Sequence, residues 1–198
     1  FSGIEKEKEL LFEKIANETG ISMHALVIKT EILKKNEIRL DEQCFYVDVE
    51  YILYPIPYVN SVIYFDIYVY MYRLAQMNQS VSILGYQKHM QNHIDVILHV
   101  LDNINEYKKQ SDYNQIKAVY MSRRIADMIN NQVDIFISFP LSDKDMKRKF
   151  EEFDRAVKQR SAYVYEKSGE LSHVLRLLRK TGFKFYKPLV WISKIKNR

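Results

Sequence analysis

Between Ile83 and Tyr107 the apolar residues Ile83, Tyr86, Met90, Ile94, Ile97, Leu101 and Ile104 recur in steps of three and four. Steps of that size hold one stripe on one face of a helix with 3.6 residues per turn, so the spacing predicts a single long amphipathic helix over 83–107. The same spacing places Ala118, Met121, Ile125 and Met128 on one helix face. It recurs at Met146, Phe150, Phe153 and Val157, behind a Ser142–Asp145 cap. At the start, Ser2 with Glu5 forms a capping-box pattern. Ile4, Leu11, Phe12, Ile15 and Ala16 follow at helical spacing, with Gly20 as the stop. A second helix is predicted from Ser22 to about Lys35.

Elsewhere the period is ambiguous. Phe45, Val47, Val49 and Tyr51 alternate with Tyr46, Asp48 and Glu50 as in a strand, whereas Asp41 suits the cap of a helix over Leu40–Tyr54. Pro55-Ile56-Pro57 stops whatever precedes it. Ser61–Met77 carries the β-branched and aromatic residues of a strand but the length of a helix, and length favours the helix. Val133, Ile135, Ile137 and Phe139 alternate towards Pro140, which predicts a short strand or extended link. Ser168-Gly169 is expected to interrupt the helix that starts near Asp145. A shorter helix then runs from about Glu170 to Lys180, with Gly182 as its end. Phe183–Ile192, centred on Lys187-Pro188, reads as two short extended pieces about a turn.

The expected class is therefore mainly α: a helical bundle over residues 1–140 and a basic, winged-helix-like module over 141–198, with short β pieces. Five Gly and four Pro in 198 residues are few for a turn-rich sheet protein and fit long helices. At 47 % hydrophobic residues the chain can build a core. Its single cysteine, Cys44, excludes an internal disulfide framework and fits a reducing, cytoplasmic location. No run of 18 apolar residues occurs, so integral membrane association is not expected. The sequence opens on Phe1 rather than Met, which leaves room for a removed signal or anchor.

Charge changes the picture. Residues 1–142 hold 14 Lys and Arg against 18 Asp and Glu, a balance of −4, whereas residues 143–198 hold 16 against 7, a balance of +9. A basic block of this kind repels itself unless something negative sits nearby, which points to a polyanionic partner. Helix, Ser-Gly break, helix, Gly and two extended pieces follow the order of a winged helix. In that arrangement Arg176, Arg179 and Lys180 on the second helix, with Lys184 and Lys187 on the wing, would meet the phosphates of duplex DNA. Lys194 and Lys196 extend the same basic stretch. A merely solvated face is the plain alternative. An anionic membrane surface is another, with Phe183, Phe185, Tyr186 and Trp191 among the lysines.

Ile15 to Leu26 looks like the core of a helix-turn-helix, with Ala16 at the crossing and Gly20 in the turn. Two packed helices with a Gly cap explain it as well, because Val27 and Ile28 fall where groove-reading polar residues belong. His89 and His93 share a helix face and His99 lies further along, but no Glu or Cys partner completes a zinc pattern, and hydrogen-bonded histidines are expected. Cys44 has no local activator, Glu151-Glu152 sit on a charged helix face, and there is no Gly-x-Ser-x-Gly or phosphate-binding loop. Nothing nominates an enzyme, a cofactor or a metal. Tyr64, Tyr68 and Tyr72 are four apart and on a helix would form one ridge for a protein partner or a second copy of the chain. A helical protein–protein interaction module, viral or secreted, is thus the rival to DNA binding.

Glu50-Tyr51-Ile52-Leu53-Tyr54-Pro55, Ser61-Val62-Ile63-Tyr64-Phe65, Gln87-Lys88 opening a long helix, Leu101-Asp102-Asn103-Ile104-Asn105-Glu106-Tyr107 and the stretch Leu171–Gly182 together resemble RteC-type regulators of conjugative transposons. The likeness covers about half the chain and excludes Asn130–Arg160 and Lys187–Arg198. It implies a helical DNA-binding regulator of a mobile element with a winged-helix C-terminal half, and it assigns no individual residue.

Overall fold

A computed structural model of the chain describes residues 4–17, 20–71 and 82–196. The protein is mainly α-helical; among the described residues the only sheet has two strands. Among the described residues the first elements are strand β1 (Glu9–Leu11), the single turn α1 (Phe12–Ile15), a 3-10 turn at Met23–Ala25, and helix α2 (Thr30–Lys35). These replace the two predicted N-terminal helices, and the helix-turn-helix arrangement with them; Ser2 lies outside the described residues. The reason is tertiary. β1 pairs antiparallel with β2 (Ser61–Ile63), Glu9 opposite Ile63 and Leu11 opposite Ser61, and this ladder overrides local helix propensity.

Helix α3 (Asp48–Leu53) resolves the ambiguous segment in favour of a helix, with Glu50, Ile52 and Leu53 buried. β2 corrects the helix favoured for Ser61–Met77. Val62 and Ile63 use their β-branched shape in the ladder, and the chain from Tyr64 to Met71 forms no helix. Tyr64 and Tyr68 therefore share no helical ridge, and Tyr72 lies outside the described residues.

The long stripe forms two helices, α4 (Ile83–Lys88) and α5 (Met90–Tyr107). They part at His89, whose backbone leaves the helical region (φ −110°, ψ 23°) and whose ring stacks on Phe45 at 3.6 Å. The link Lys108–Asn114 leads into α6 (Gln115–Ser138), capped by Asn114, whose side chain accepts from the N–H groups of Ile116 and Lys117. Hydrogen bonds join Tyr107 to Asn114, His93 to Gln132 and Gln87 to Ser138, so α5 and α6 run antiparallel. The strand or link expected at Val133–Phe139 is instead the last two turns of α6. Ile129, Val133, Phe136 and Ile137 are all buried in steps of four, three and one, and that helical face was masked by the alternation of Val133, Ile135 and Ile137.

α7 (Met146–Arg160) buries Met146, Phe150, Phe153 and Val157, the predicted face. The breaks that follow fall at two serines. Ser161 opens α8 (Ala162–Leu171) by accepting from Val164 N–H, and Ser172 opens α9 (His173–Lys180) by accepting from Leu175 N–H. Ser168-Gly169, expected to break the helix, lies inside α8. Gly182 ends α9 in the left-handed conformation (φ 56°). Phe183 N–H then bonds to Leu178 C=O, and Gly182 N–H to Arg179 C=O, closing a Schellman motif.

α10 (Tyr186–Lys196) corrects the two extended pieces. Pro188 falls in the first turn of a helix, where the missing N–H costs no intrahelical bond, so Lys187-Pro188 starts an element rather than turning between two. The wing of the expected winged helix is thus a helix. Phe136 of α6 stacks on Phe150 of α7 at 4.4 Å, Phe183 meets Phe150 edge-on, and the Tyr186 hydroxyl donates to Phe136 C=O (3.0 Å). One buried cluster therefore runs from Phe12 to Val190, with α5 and α6 at its centre.

Candidate nucleic-acid interface

From Leu171 to the end the sequence contains no Asp or Glu, and α9 and α10 carry most of the basic residues there. Arg176 and Lys180 stand four residues apart on one exposed face of α9. Lys184 is exposed in the corner between the helices. Lys187, Trp191 and Lys194 recur at helical spacing on an exposed face of α10, with the two lysines about 10 Å apart along the axis at 1.5 Å per residue. Lys196 is the last residue of α10, and its side chain is outside the described set. Among the described residues, Lys180, Lys184, Lys187 and Lys194 form no ion pair; Arg176 bonds only to the His173 ring.

Arg179 is different. Its side chain is 10 % exposed and pairs with Asp154, 9 % exposed. Nε and Nη2 both donate to Asp154 Oδ1, at 2.8 and 2.7 Å; Nη2 also donates to Ser168 Oγ (3.1 Å), and Nη1 donates to Tyr165 C=O. The guanidinium lies 3.5 Å over the Tyr165 ring, which Lys158 approaches at 5.3 Å. Burial pushes the Asp154 carboxyl above its ordinary pKa, and Arg179 and Lys158 oppose that shift. Gly169 makes room: a Cβ there would lie 2.9 Å from Arg179 Nη1. The Ser-Gly pair read as a helix break is thus a receptor for Arg179, and Arg179 ties α9 to α7 and α8 instead of facing solvent.

The site residues do not gather on one wall. Arg176, Arg179 and Lys180 border a groove between α8 and α9 whose other side carries Glu166 and Glu170. Glu170 is paired to Lys167 at 2.8 Å. Lys194 borders a second groove, lined by Ile83, Leu84, Ile137, Trp191 and Ile195, with Asp134 in the same lining. Carboxylates thus border both grooves, and the cations left exposed are Lys184 in the corner, Lys187 and Lys194 on α10, and Arg176 and Lys180 on α9.

The other candidates resolve as follows. His93 is buried, its Nδ1 2.8 Å from Gln132 Oε1, and burial lowers its pKa to about 4 against a weaker upward pull from Gln132. His99 Nδ1 lies 2.7 Å from Asp41 Oδ2. Burial and the nearby carboxylates of Asp41, Glu50 and Asp95 push the Cys44 thiol up, the opposite of nucleophile activation. Glu151 and Glu152 pair with Lys147 and Arg148 one turn away, on the charged outer side of α7. Tyr64 donates to Asp66, and Tyr68 is fully exposed. Among the described residues no helix is long and apolar enough to cross a membrane. Compared with protein-family models, with curated proteins and with solved structures, the chain finds no match.

Proposed function

We propose that this protein binds duplex DNA through the exposed cations of α9, α10 and the corner between them. One observation carries the reading: residues 171–198 hold eight Lys and Arg and no acid, and of those whose side chains are described only Arg179 spends its charge inside the fold. Phosphates neutralised by such side chains release counterions, so affinity must fall with salt. The docking element is α10, in place of the wing. Lys187 and Lys194 would contact the backbone, with Trp191 between them. The resemblance to RteC-type regulators would place such binding in the control of a mobile element.

The experiment is a duplex titration at 50 and 200 mM salt. If Arg176, Lys180, Lys184, Lys187 and Lys194 each neutralise one phosphate, the log–log slope is about −4.5 and affinity drops about 500-fold between the two conditions. Replacing Lys184, Lys187 and Lys194 together by Ala removes about three units of slope. Weak binding of equal strength at both salts refutes the proposal.

A second reading, docking of a protein partner, is supported by the stretch 65–71, where Phe65, Ile67, Tyr68, Val69, Tyr70 and Met71 are each more than half exposed. Sedimentation of the same DNA-free samples tests self-association through it: a species whose mass rises with concentration, and falls back in Tyr68→Ser, favours this reading.

A further inference from the structure

Asp41 lies in the loop before α3, Glu50 on α3 and His99 midway along α5. One potential ligand atom from each lies within 4.8 Å of the other two. The Asp41 and His99 side chains are 34 % and 51 % exposed, so they form a rim open to solvent. Glu50 is fully buried beneath them. Its Oε2 accepts from Asp41 N–H at 2.9 Å, but Oε1 has no partner in hydrogen-bonding geometry. A buried carboxylate oxygen left in this state is costly, and native folds do not usually retain one without cause. Burial pushes the Glu50 pKa up, and the Asp41 N–H, the nearby Tyr54 hydroxyl and His99 pull it back. The Asp41–His99 bond satisfies those two groups and leaves Glu50 Oε1 with the Tyr54 hydroxyl near its carboxylate but with no partner in hydrogen-bonding geometry. Asp95 adds negative charge close by, acting on the neighbouring Cys44, whereas Asp102, which acts on Tyr54, is paired to Arg160 at 3.0 Å. The field at the rim therefore favours a cation.

We propose that Asp41, Glu50 and His99 form a binding site for a divalent transition-metal ion of the zinc class, with solvent in the remaining position. One imidazole and two carboxylates suit Zn²⁺ or a neighbouring first-row ion better than Ca²⁺ or Mg²⁺, which take oxygen ligands. Tetrahedral bonds of about 2.0–2.1 Å set ligand atoms about 3.3 Å apart. The 2.7 Å contact between His99 Nδ1 and Asp41 Oδ2 must therefore open by about 0.6 Å, which two rim side chains can do by small rotations, while Glu50 stays anchored by the Asp41 N–H. The site rests on no part of the DNA-binding reading. The spacing of nine residues between Asp41 and Glu50, and of almost fifty to His99, hides it from any local motif.

Calorimetric titration of the full chain with ZnCl₂ tests it, with Co²⁺ absorption as the reporter of geometry. The expected result is one ion per chain, a visible Co²⁺ band of tetrahedral intensity, and at least a tenfold loss of affinity in Glu50→Gln and in His99→Gln. His99→Gln changes an exposed side chain, so it keeps the test decisive if the buried Glu50→Gln variant fails to fold. The proposal is overturned if no saturable binding occurs, if both variants bind as the parent does, if His89→Gln rather than His99→Gln abolishes uptake, or if MgCl₂ binds as tightly as ZnCl₂.

Discussion

Replacing Arg179 by Met removes a planar cation from a socket built for it while keeping the length of the side chain. The loss can be read from the geometry: two bonds to Asp154 Oδ1, one to Ser168 Oγ, one to Tyr165 C=O, and a face-on stack over Tyr165 at 3.5 Å. Asp154 would then stay buried without its partner, and breaking a buried pair from one side costs about 3–5 kcal/mol. A domain of ordinary stability has about 5–15 kcal/mol in all, so the variant should unfold at a much lower urea concentration with an unchanged slope. Asp154→Asn in the same chain removes the stranded charge, and the double variant should recover part of the loss. Gly169→Ala supplies an internal control. In the parent, its Cβ meets Arg179 Nη1 at 2.9 Å, and the crowding opposes the gain in helix propensity of about 1 kcal/mol. With Met at 179 the obstruction is gone, and the same substitution should stabilise. The reasoning fails if Arg179→Met lies within about 1 kcal/mol of the parent while DNA affinity falls as it does for Lys184→Ala. Arg179 would then be a phosphate ligand in solvent.

Two further outcomes follow from buried groups. His93 titrates near 6.5 when unfolded and about 4 when folded, because burial penalises its charged form, so its contribution is complete above pH 6.5 and is lost as pH falls towards 4. At 1.36 kcal/mol per unit this amounts to about 3 kcal/mol. Asp48, Glu50, Asp134 and Asp154 carry raised values and oppose that slope. The clean readout is therefore the difference in urea stability between parent and His93→Gln at pH 7 and pH 4.5; a difference independent of pH refutes it. Phe136→Ala, at the junction of α6 with α7, should cost about 3–5 kcal/mol by equilibrium unfolding, and a cost under 1 would mean that α6 does not reach the shared aromatic cluster.

The sequence was legible where one face of a helix is apolar and the other is not. The stripe from Met90 to Ile104 and the face Met146–Val157 emerged as buried helix faces. It misled where two periods overlap. Val133, Ile135 and Ile137 alternate like a strand, but Phe136 between them is also buried, and only a helix buried on more than one side accommodates both. Serine was misread for a related reason. Ser161 and Ser172 cap helices through backbone N–H groups, whereas Ser168 sits mid-helix, bonding back to Tyr165 C=O and accepting from Arg179. Residue type alone does not distinguish these uses. In the candidate interface the exposed lysines were visible as an acid-free run. The internal role of Arg179 was not, since its partner Asp154 is twenty-five residues earlier on another helix.

Charge separation connects the two proposed sites. The front of the chain has an acidic surplus and the end a basic one, yet among the described residues the one ion pair joining residues before 143 to those after is Arg160 with Asp102, at 3.0 Å. The surplus is therefore not cancelled by folding. Asp41 and Glu50 converge on His99, with Asp95 close by, while Lys184, Lys187 and Lys194, late in the sequence, are exposed and, among the described residues, unpaired, Lys194 in a groove that also holds Asp134. Exposed charges that form no pair are screened by physiological salt over about 8–10 Å, so an unpaired surplus of either sign costs the fold little. A chain that lets opposite charges stay apart keeps both fields available to ligands: a small cation at one cluster and an extended anion at the other. Loading the acidic cluster with Zn²⁺ should accordingly leave the salt slope for DNA unchanged, because the slope counts phosphates met by α9 and α10 alone. A slope that shifts by one unit or more on adding metal would mean that the two surfaces are one.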